Sequence, residues 1–406
     1  ISNESFMENT KEWLNTLKLR ASYGQVGNDV YTVGGVAQRF LYEEKWSQIS
    51  NDYMFGTSGK SGIYETQYPN YGVTWERAHK YNVGLEFGLW NGLLNGNIDL
   101  FHEKRNDILT NYLTRPEWVG VTMAAGNLGE TVNSGFEIEL KHNNHIGKEF
   151  QYNVGLTFSH AKNEIKNMDE PALKTDYRKR EGHPIGQYYG LVCDGFVTAA
   201  DVADPNFPTS TFGNVQVGDL KYRDMNNDGF IDERDETFIG YSDVPENTYA
   251  LTLGCNYKGI GFSVMFEGVD HVSRYYDAEA MYAFVSGGKV KEHHLDRWNP
   301  TKSESENLAS AKYPLLHYDS YGDHNQRQNS FFLKNGAFMR LKNIELSYTL
   351  PTKWIEKVGM SDCRLYVNGN NLITWDHLDD LCDPESNGSN RYPIMKTVNF
   401  GVNIKF

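Results

Sequence analysis

The sequence predicts an all-β fold, a transmembrane antiparallel β-barrel of about ten strands with long extracellular loops, and three observations lead there. The first is the final stretch, Thr397-Val398-Asn399-Phe400-Gly401-Val402-Asn403-Ile404-Lys405-Phe406, in which every second residue is apolar and the rest are polar or small. Extended, that pattern gives one face suited to lipid and one suited to water, and about ten residues cross a bilayer when the strand is tilted. The second is that no run of about eighteen apolar residues occurs, so no helix spans a membrane and crossing falls to strands closed into a barrel, where no backbone edge is left unpaired. The third is a strict alternation of short and long connections, the mark of tight turns on one side of a membrane and extended loops on the other.

Each strand is legible in turn. Leu17, Leu19, Ala21 and Tyr23 alternate with Lys18, Arg20 and Ser22, then run into the turn-rich stretch Gly24-Gln25-Val26-Gly27-Asn28-Asp29. After a long polar and aromatic segment, Tyr81, Val83, Leu85, Phe87 and Leu89 alternate with Lys80, Asn82, Gly84, Glu86 and Gly88, stopping at the hairpin dipeptide Asn91-Gly92. Ile98 and Leu100 stand against Asn97, Asp99 and Phe101. Phe136, Ile138 and Leu140 stand against Glu137, Glu139 and Lys141, and Asn143-Asn144-His145-Ile146-Gly147 turns that strand into Tyr152, Val154, Leu156 and Phe158. Beyond a long segment come Tyr249, Leu251, Leu253, Cys255 and Tyr257, the turn Lys258-Gly259-Ile260-Gly261, and Phe262, Val264 and Phe266. Another long segment leads to Ile344, Leu346, Tyr348 and Leu350, then through Pro351 and Gly359 to Cys363, Leu365 and Val367, and a last loop precedes the terminal strand.

Composition agrees. Twenty-six Tyr, 21 Phe and 8 Trp with 38 Gly and 12 Pro favour strands, aromatic girdles and turns. A net charge of −14 excludes nucleic acid as a partner, because phosphate neutralisation needs clustered Lys and Arg. Cys193, Cys255, Cys363 and Cys382 are too widely spaced for a zinc site or a disulfide framework. The first residues, Ile1-Ser2-Asn3-Glu4-Ser5-Phe6, carry neither a basic nor an apolar leader segment.

Several ordered motifs then carry a family resemblance. Leu17-Lys18-Leu19-Arg20-Ala21-Ser22-Tyr23-Gly24, Gly126-Asn127-Leu128-Gly129 through Asn133-Ser134-Gly135-Phe136-Glu137, and Arg340-Leu341-Lys342-Asn343-Ile344 through Leu350-Pro351 resemble the barrel of SusC/RagA-type TonB-dependent receptors, as do Gly369-Asn370-Asn371-Leu372 and Tyr392-Pro393. The resemblance implies that residues 1–406 are the C-terminal portion of a barrel of about 22 strands, with the N-terminal plug and TonB box absent from this chain. It implies a nutrient importer of the Gram-negative outer membrane, Bacteroidetes-type, embedded in outer-membrane lipids. Its partners would be a SusD-like lipoprotein lid and the TonB complex acting through the missing plug, and its substrate an oligosaccharide or oligopeptide. No catalytic function is expected, since no nucleophile, base and orienting group can be picked out.

One motif carries chemistry of its own. Within the longest expected loop, 162–247, the residues from Asp224 read D-x-N-x-D-G-x-I-D-x-x-D, the spacing of a calcium loop with Asp at the twelfth place. Asp224, Asn226 and Asp228 would supply side-chain oxygens, Phe230 its carbonyl, Asp232 an oxygen directly or through water, and Asp235 the last carboxylate, while Gly229 allows the sharp turn. An all-oxygen set selects a hard cation, so structural Ca2+ is expected. The bland reading is an acidic turn closed by its own Asx hydrogen bonds. Glu292-His293-His294 lacks the spacing of a zinc hydrolase. Trp46, Tyr53, Tyr64, Tyr68, Tyr188, Tyr189, Tyr275, Tyr276, Tyr282 and Trp298 lie in long segments, where they either meet ligand or pack the loops. The alternative to an importer is a secreted or surface β-rich module, calcium-stabilised, that binds glycan or a partner; it would not need the alternating connections.

Overall fold

The computed structural model describes the chain apart from Asn3, Pro116, 172–174, 277–280, 286–287, 319–323, 379–381, 387–391 and Pro393. Pro393, which carries part of the family resemblance, and the side chain of Tyr53 thus lie outside the described residues. Ten long strands dominate: β1 (Leu14–Asn28), β2 (Glu76–Leu89), β3 (Leu94–Thr110), β4 (Gly126–Ile146), β5 (Phe150–Asn167), β6 (Asn247–Tyr257), β7 (Ile260–Asp270), β8 (Phe338–Thr349), β9 (Asp362–Trp375) and β10 (Thr397–Lys405). They are hydrogen-bonded in sequence order in one ten-stranded sheet. Each of the ten strands expected from the alternation is among them.

Connections 90–93, 147–149, 258–259 and 350–361 are short, and 29–75, 111–125, 168–246, 271–337 and 376–396 are long. The longest begins at 168, not at 162: β5 continues to Asn167, and the next strand already starts at Asn247. Its last turns, with Lys162, Glu164 and Lys166, no longer carry an apolar face, so alternation of hydrophobicity stops before the strand does.

The chain divides into two compact units, Ile1–Asn91 with Gly96–Ile138 and His160–Ile185, and Gly92–Asn95 with Glu139–Ser159 and Gly186–Phe406. In the first, β1 and β2 pair antiparallel with Leu19 opposite Leu85, Ala21 opposite Val83 and Lys18 opposite Glu86. The polar faces lock through charge. The Arg20 guanidinium lies 2.9 Å from Glu86 and 3.0 Å from Asp99, Lys18 lies 3.4 Å from Glu86, and farther along Arg105 joins Glu103 and Glu76, each at 2.7 Å. Gly84 stands opposite Arg20 because a Cβ there would strike the Asp99 carboxylate. Asn127, from the resemblance motif, ties the connection 29–75 to β3 by accepting from Thr74 N–H at 2.9 Å and donating to Asp107 O at 2.7 Å.

In the second unit β6 to β10 pair antiparallel in order. Their polar face carries amides: Asn343 donates to Asn370 at 2.8 Å, and Asn399 to Asn368 at 3.0 Å. The principal apolar core belongs to the connections. Leu191, Leu220, Tyr222 and Ile231 from 168–246, Tyr276, Tyr282 and Phe332 from 271–337, and Leu378 from 376–396 bury one another.

Candidate functional site: the two-faced sheet and the acidic loop

Alternation along each strand puts charge and amides on one face and apolar side chains on the other, and the apolar face is uncovered. Leu19 is 59% exposed, Leu100 55%, Leu346 51% and Phe400 83%. In a protein surrounded by water such a row would be covered; uncovered, it matches a surface solvated by lipid.

Aromatic rows bound this face. At the long-connection end of the first unit, Tyr23 and Tyr81 rings lie 5.0 Å apart and Tyr81 and His102 6.2 Å. At the other end Trp13 and Trp90 are exposed, with Trp90 N–H donating to Trp13 O at 2.8 Å. From Tyr23 to Trp13 the chain extends about 33 Å, which a tilt of about 45° projects to about 23 Å, close to the height of an outer-membrane apolar band. In the second unit the short-turn end carries Phe150, its ring 6.0 Å from Tyr152 and 6.4 Å from Tyr257, with Lys258 Nζ 5.3 Å over the Tyr257 ring. Rings of this kind sit where hydrocarbon gives way to headgroups.

The acidic loop is closed by its own bonds. Asp224 accepts from Gly229 N–H at 2.8 Å and Asp228 N–H at 3.3 Å; Asn226 accepts from Asp228 N–H at 2.9 Å and donates to the Asp228 carboxylate at 3.0 Å; Asp228 accepts from Phe230 N–H at 3.0 Å. Gly229 takes φ 81°, the left-handed turn its place in the motif requires. Phe230–Ile231 pairs parallel with Thr209–Ser210. Asp232 and Asp235 form a reciprocal cap on Glu233–Asp235, and fully buried Asp235 also accepts from Met225 N–H at 2.9 Å, tying the two ends of the loop together.

The motif did not foretell Arg234. Its guanidinium lies 2.8 Å from Asp228 and 2.6 Å from Asp232, a cation of the chain's own where those carboxylates converge. Among the described residues no three Asp, Glu, His or Cys side chains are gathered as a metal-ligand set. The structure thus brings together Asp224, Asn226 and Asp228 on one side and Asp232 and Asp235 on the other, with Arg234 joining them.

The loop aromatics separate by burial, with Tyr188, Tyr189 and Tyr275 half-buried between two extremes. Tyr276, Tyr282 and Trp298 are buried and pack the connections, whereas Trp46, Tyr64 and Tyr68 are exposed. Missed by sequence reasoning was a buried polar network: Asp219 accepts from Asn325 at 2.8 Å and meets His317 Nε2 at 2.5 Å, and His324 bonds Leu220 O at 2.7 Å and Ser210 Oγ at 2.8 Å. Nothing in local spacing joins residues a hundred positions apart. Burial raises the Cys193 thiol to about 11, which keeps it protonated and inert.

The family model described as TonB dependent receptor-like, beta-barrel, matches residues 10–372. The chain belongs to this family. Over its whole length this receptor barrel is 26% identical to TonB-dependent receptor P26 of Formosa agariphila, covering 41% of that protein, and 25% identical to TonB-dependent receptor SusC of Bacteroides thetaiotaomicron, covering 39%. It therefore spans about two-fifths of the length of these curated relatives. A solved structure of the RagAB peptide transporter superposes on all of the chain with a TM-score of 0.69 at 21% identity, covering 42% of that chain, which shows a shared fold. The ten-stranded antiparallel sheet is thus a TonB-dependent receptor barrel fold.

Proposed function

We propose that the chain is the membrane-spanning barrel region of an outer-membrane TonB-dependent receptor that imports oligosaccharides or oligopeptides. The observation that carries this reading is the exposed apolar face, bounded by aromatic rows about 23 Å apart and backed by a face of paired charges and amides. In this reading the long connections lie outside the cell, a SusD-like lipoprotein closes over them, and the TonB complex supplies energy through a plug. Among the similar proteins, the RagAB peptide transporter is named for a peptide cargo, which is in keeping with the oligopeptide class. A secreted module is disfavoured, because water would have to solvate Leu19, Leu100, Leu346 and Phe400. The test is single-cysteine labelling in outer membranes. Val83 and Leu85 should react with a lipid-phase probe and Asn82 and Glu86 with an aqueous one; the reverse pattern would overturn the facing, and loss of membrane association would overturn the function.

We also propose that residues 224–235 hold one structural calcium ion. Support comes from the oxygen-only donors, from Gly229 in the turn the motif needs, and from the convergence of Asp228 and Asp232 on a single cation. Each Asp235 oxygen accepts one backbone bond, and a carboxylate oxygen has room for a second partner. The ion would take the place of Arg234 between Asp228 and Asp232. Elemental analysis of purified protein tests it: calcium at one per chain supports the clip, and its absence leaves the Arg234-closed acidic turn.

A further inference from the structure

Two histidines on the apolar face are held the same way by hydroxyls of adjacent strands. The Tyr23 hydroxyl lies 2.9 Å from His79 Nδ1 and the Ser134 hydroxyl 2.7 Å from His102 Nδ1. Where each hydroxyl donates to Nδ1, the imidazole proton sits on Nε2 and that nitrogen is a donor. Among the described residues neither Nε2 has a hydrogen-bond partner.

Depth decides what these donors meet. Toward the middle of the face lie exposed Val83 and Leu100, which suit hydrocarbon. Toward the long connections lie Arg77, bonded to Asp107 at 2.8 and 2.5 Å, and Lys104, 2.8 Å from Glu130. His79 and His102 stand between the apolar zone and these cations. An imidazole N–H is poorly placed against acyl chains and well placed against an anionic oxygen at the interface.

We propose that His79 and His102, backed by Arg77 and Lys104, form a docking site for the phosphate of a lipid headgroup in the leaflet on the long-connection side. The lipid's chains lie along Val83 and Leu100, and its phosphate accepts from the two Nε2–H groups. Arg77 and Lys104 are each paired with one carboxylate, so they favour the anion by their position beyond the rings and not as free charges. The site rests on the reading that this face meets lipid.

The experiment is native mass spectrometry of the protein purified from membranes and exchanged into nanodiscs holding phosphatidic acid and phosphatidylcholine in equal amounts. Wild type should retain phosphatidic acid in preference. H79F/H102F keeps the aromatic rings but removes both donors, and should lower that preference about tenfold. Y23F, which frees His79 Nδ1 alone, should lower it less. Equal retention by H79F/H102F, or no preference in wild type, overturns the site and leaves a plain aromatic girdle. Displacement of the lipid by inorganic phosphate alone also overturns it, in favour of a free-anion site. Failure of the membrane reading would be distinct: the wild-type protein would remain monodisperse without detergent, whatever lipid it was offered.

Discussion

Arg340, fully buried near the long-connection end of β8, bonds both carboxylate oxygens of Asp383 at 2.8 Å. The same guanidinium reaches Glu385 and Thr374, and Arg274 donates to Pro384 O at 3.0 Å, so the connection 376–396 is held to the sheet by charge at its middle. Arg340→Met should leave half-buried Asp383 without its cation while exposed Glu385 keeps Lys342 at 3.3 Å, costing the closed loop about 1–3 kcal/mol. Limited proteolysis checks it: cleavage within 376–396 should appear while heat-modifiable migration of the barrel stays as in the wild type.

The terminal strand offers a paired substitution. Val402 is exposed on the apolar face and Asn403 lies on the other. Val402→Arg should destabilise the assembled barrel by about 2–4 kcal/mol if Val402 sits near the bilayer midplane, and Asn403→Arg should cost much less. Urea-induced unfolding in lipid vesicles measures both, and equal losses would refute the facing. Phe406→Asp, at the end of the same apolar row, should reduce the amount of barrel assembled in the outer membrane, as read from membrane fractions.

For the acidic loop, Asp224→Ala with Asp228→Ala should abolish calcium binding in calorimetry and open residues 224–235 to protease, leaving the sheet intact. Arg234→Ala separates the two cations: with the competing guanidinium gone, calcium should bind more tightly. Unchanged affinity in that variant would mean that Arg234 and the ion do not share a place.

Acid should loosen the core of the connections. His294 Nδ1 accepts from Lys291 N–H at 3.0 Å, its Nε2 faces Met281 O at 2.8 Å, and Lys291 and Arg297 stand nearby. Burial, the largest cause, lowers the pKa of both His294 and His324, so the neutral rings are favoured in the fold. The stabilisation is complete above the unfolded histidine value of about 6.5 and is lost as pH falls through and below it, because the unfolded chain then binds more protons. Hydrogen-exchange protection factors, corrected for the slower intrinsic exchange at low pH, should fall in peptides covering 210–222 and 288–297 on going from pH 7.5 to pH 5.5, and more than in the strands.

The ten strands were legible because lipid on one face and water on the other impose a two-residue period that survives in the residues themselves, as at Val398 to Phe406. Where that contrast fades, as at Lys162 to Lys166, the strand outran its signal. The acidic turn was legible in Asp224, Asn226, Asp228, Asp232 and Asp235, because the spacing of these side chains is local. Arg234 was not, although it stands two places after Asp232, because side-chain competition for a carboxylate follows from the folded turn. Leu191, Phe332 and Leu378 look in sequence like scattered loop hydrophobics; only tertiary structure joins them.

That same joining imposes an order of assembly. Leu191 and Leu378 are both completely buried in one cluster though 187 positions separate them, and Leu191 N–H and O bond Gln328 O and Ser330 N–H at 2.9 Å each. The hairpin of β6 and β7 needs only the two-residue turn 258–259 and can form early, while closure of this cluster must wait for distant segments and bear their loop entropy. The connections are therefore expected to be the last region to reach their native arrangement. A receptor caught midway would have its strands paired and Leu191, Leu220 and Phe332 open to water, a state that chaperones or proteases of its compartment would recognise by its apolar surface.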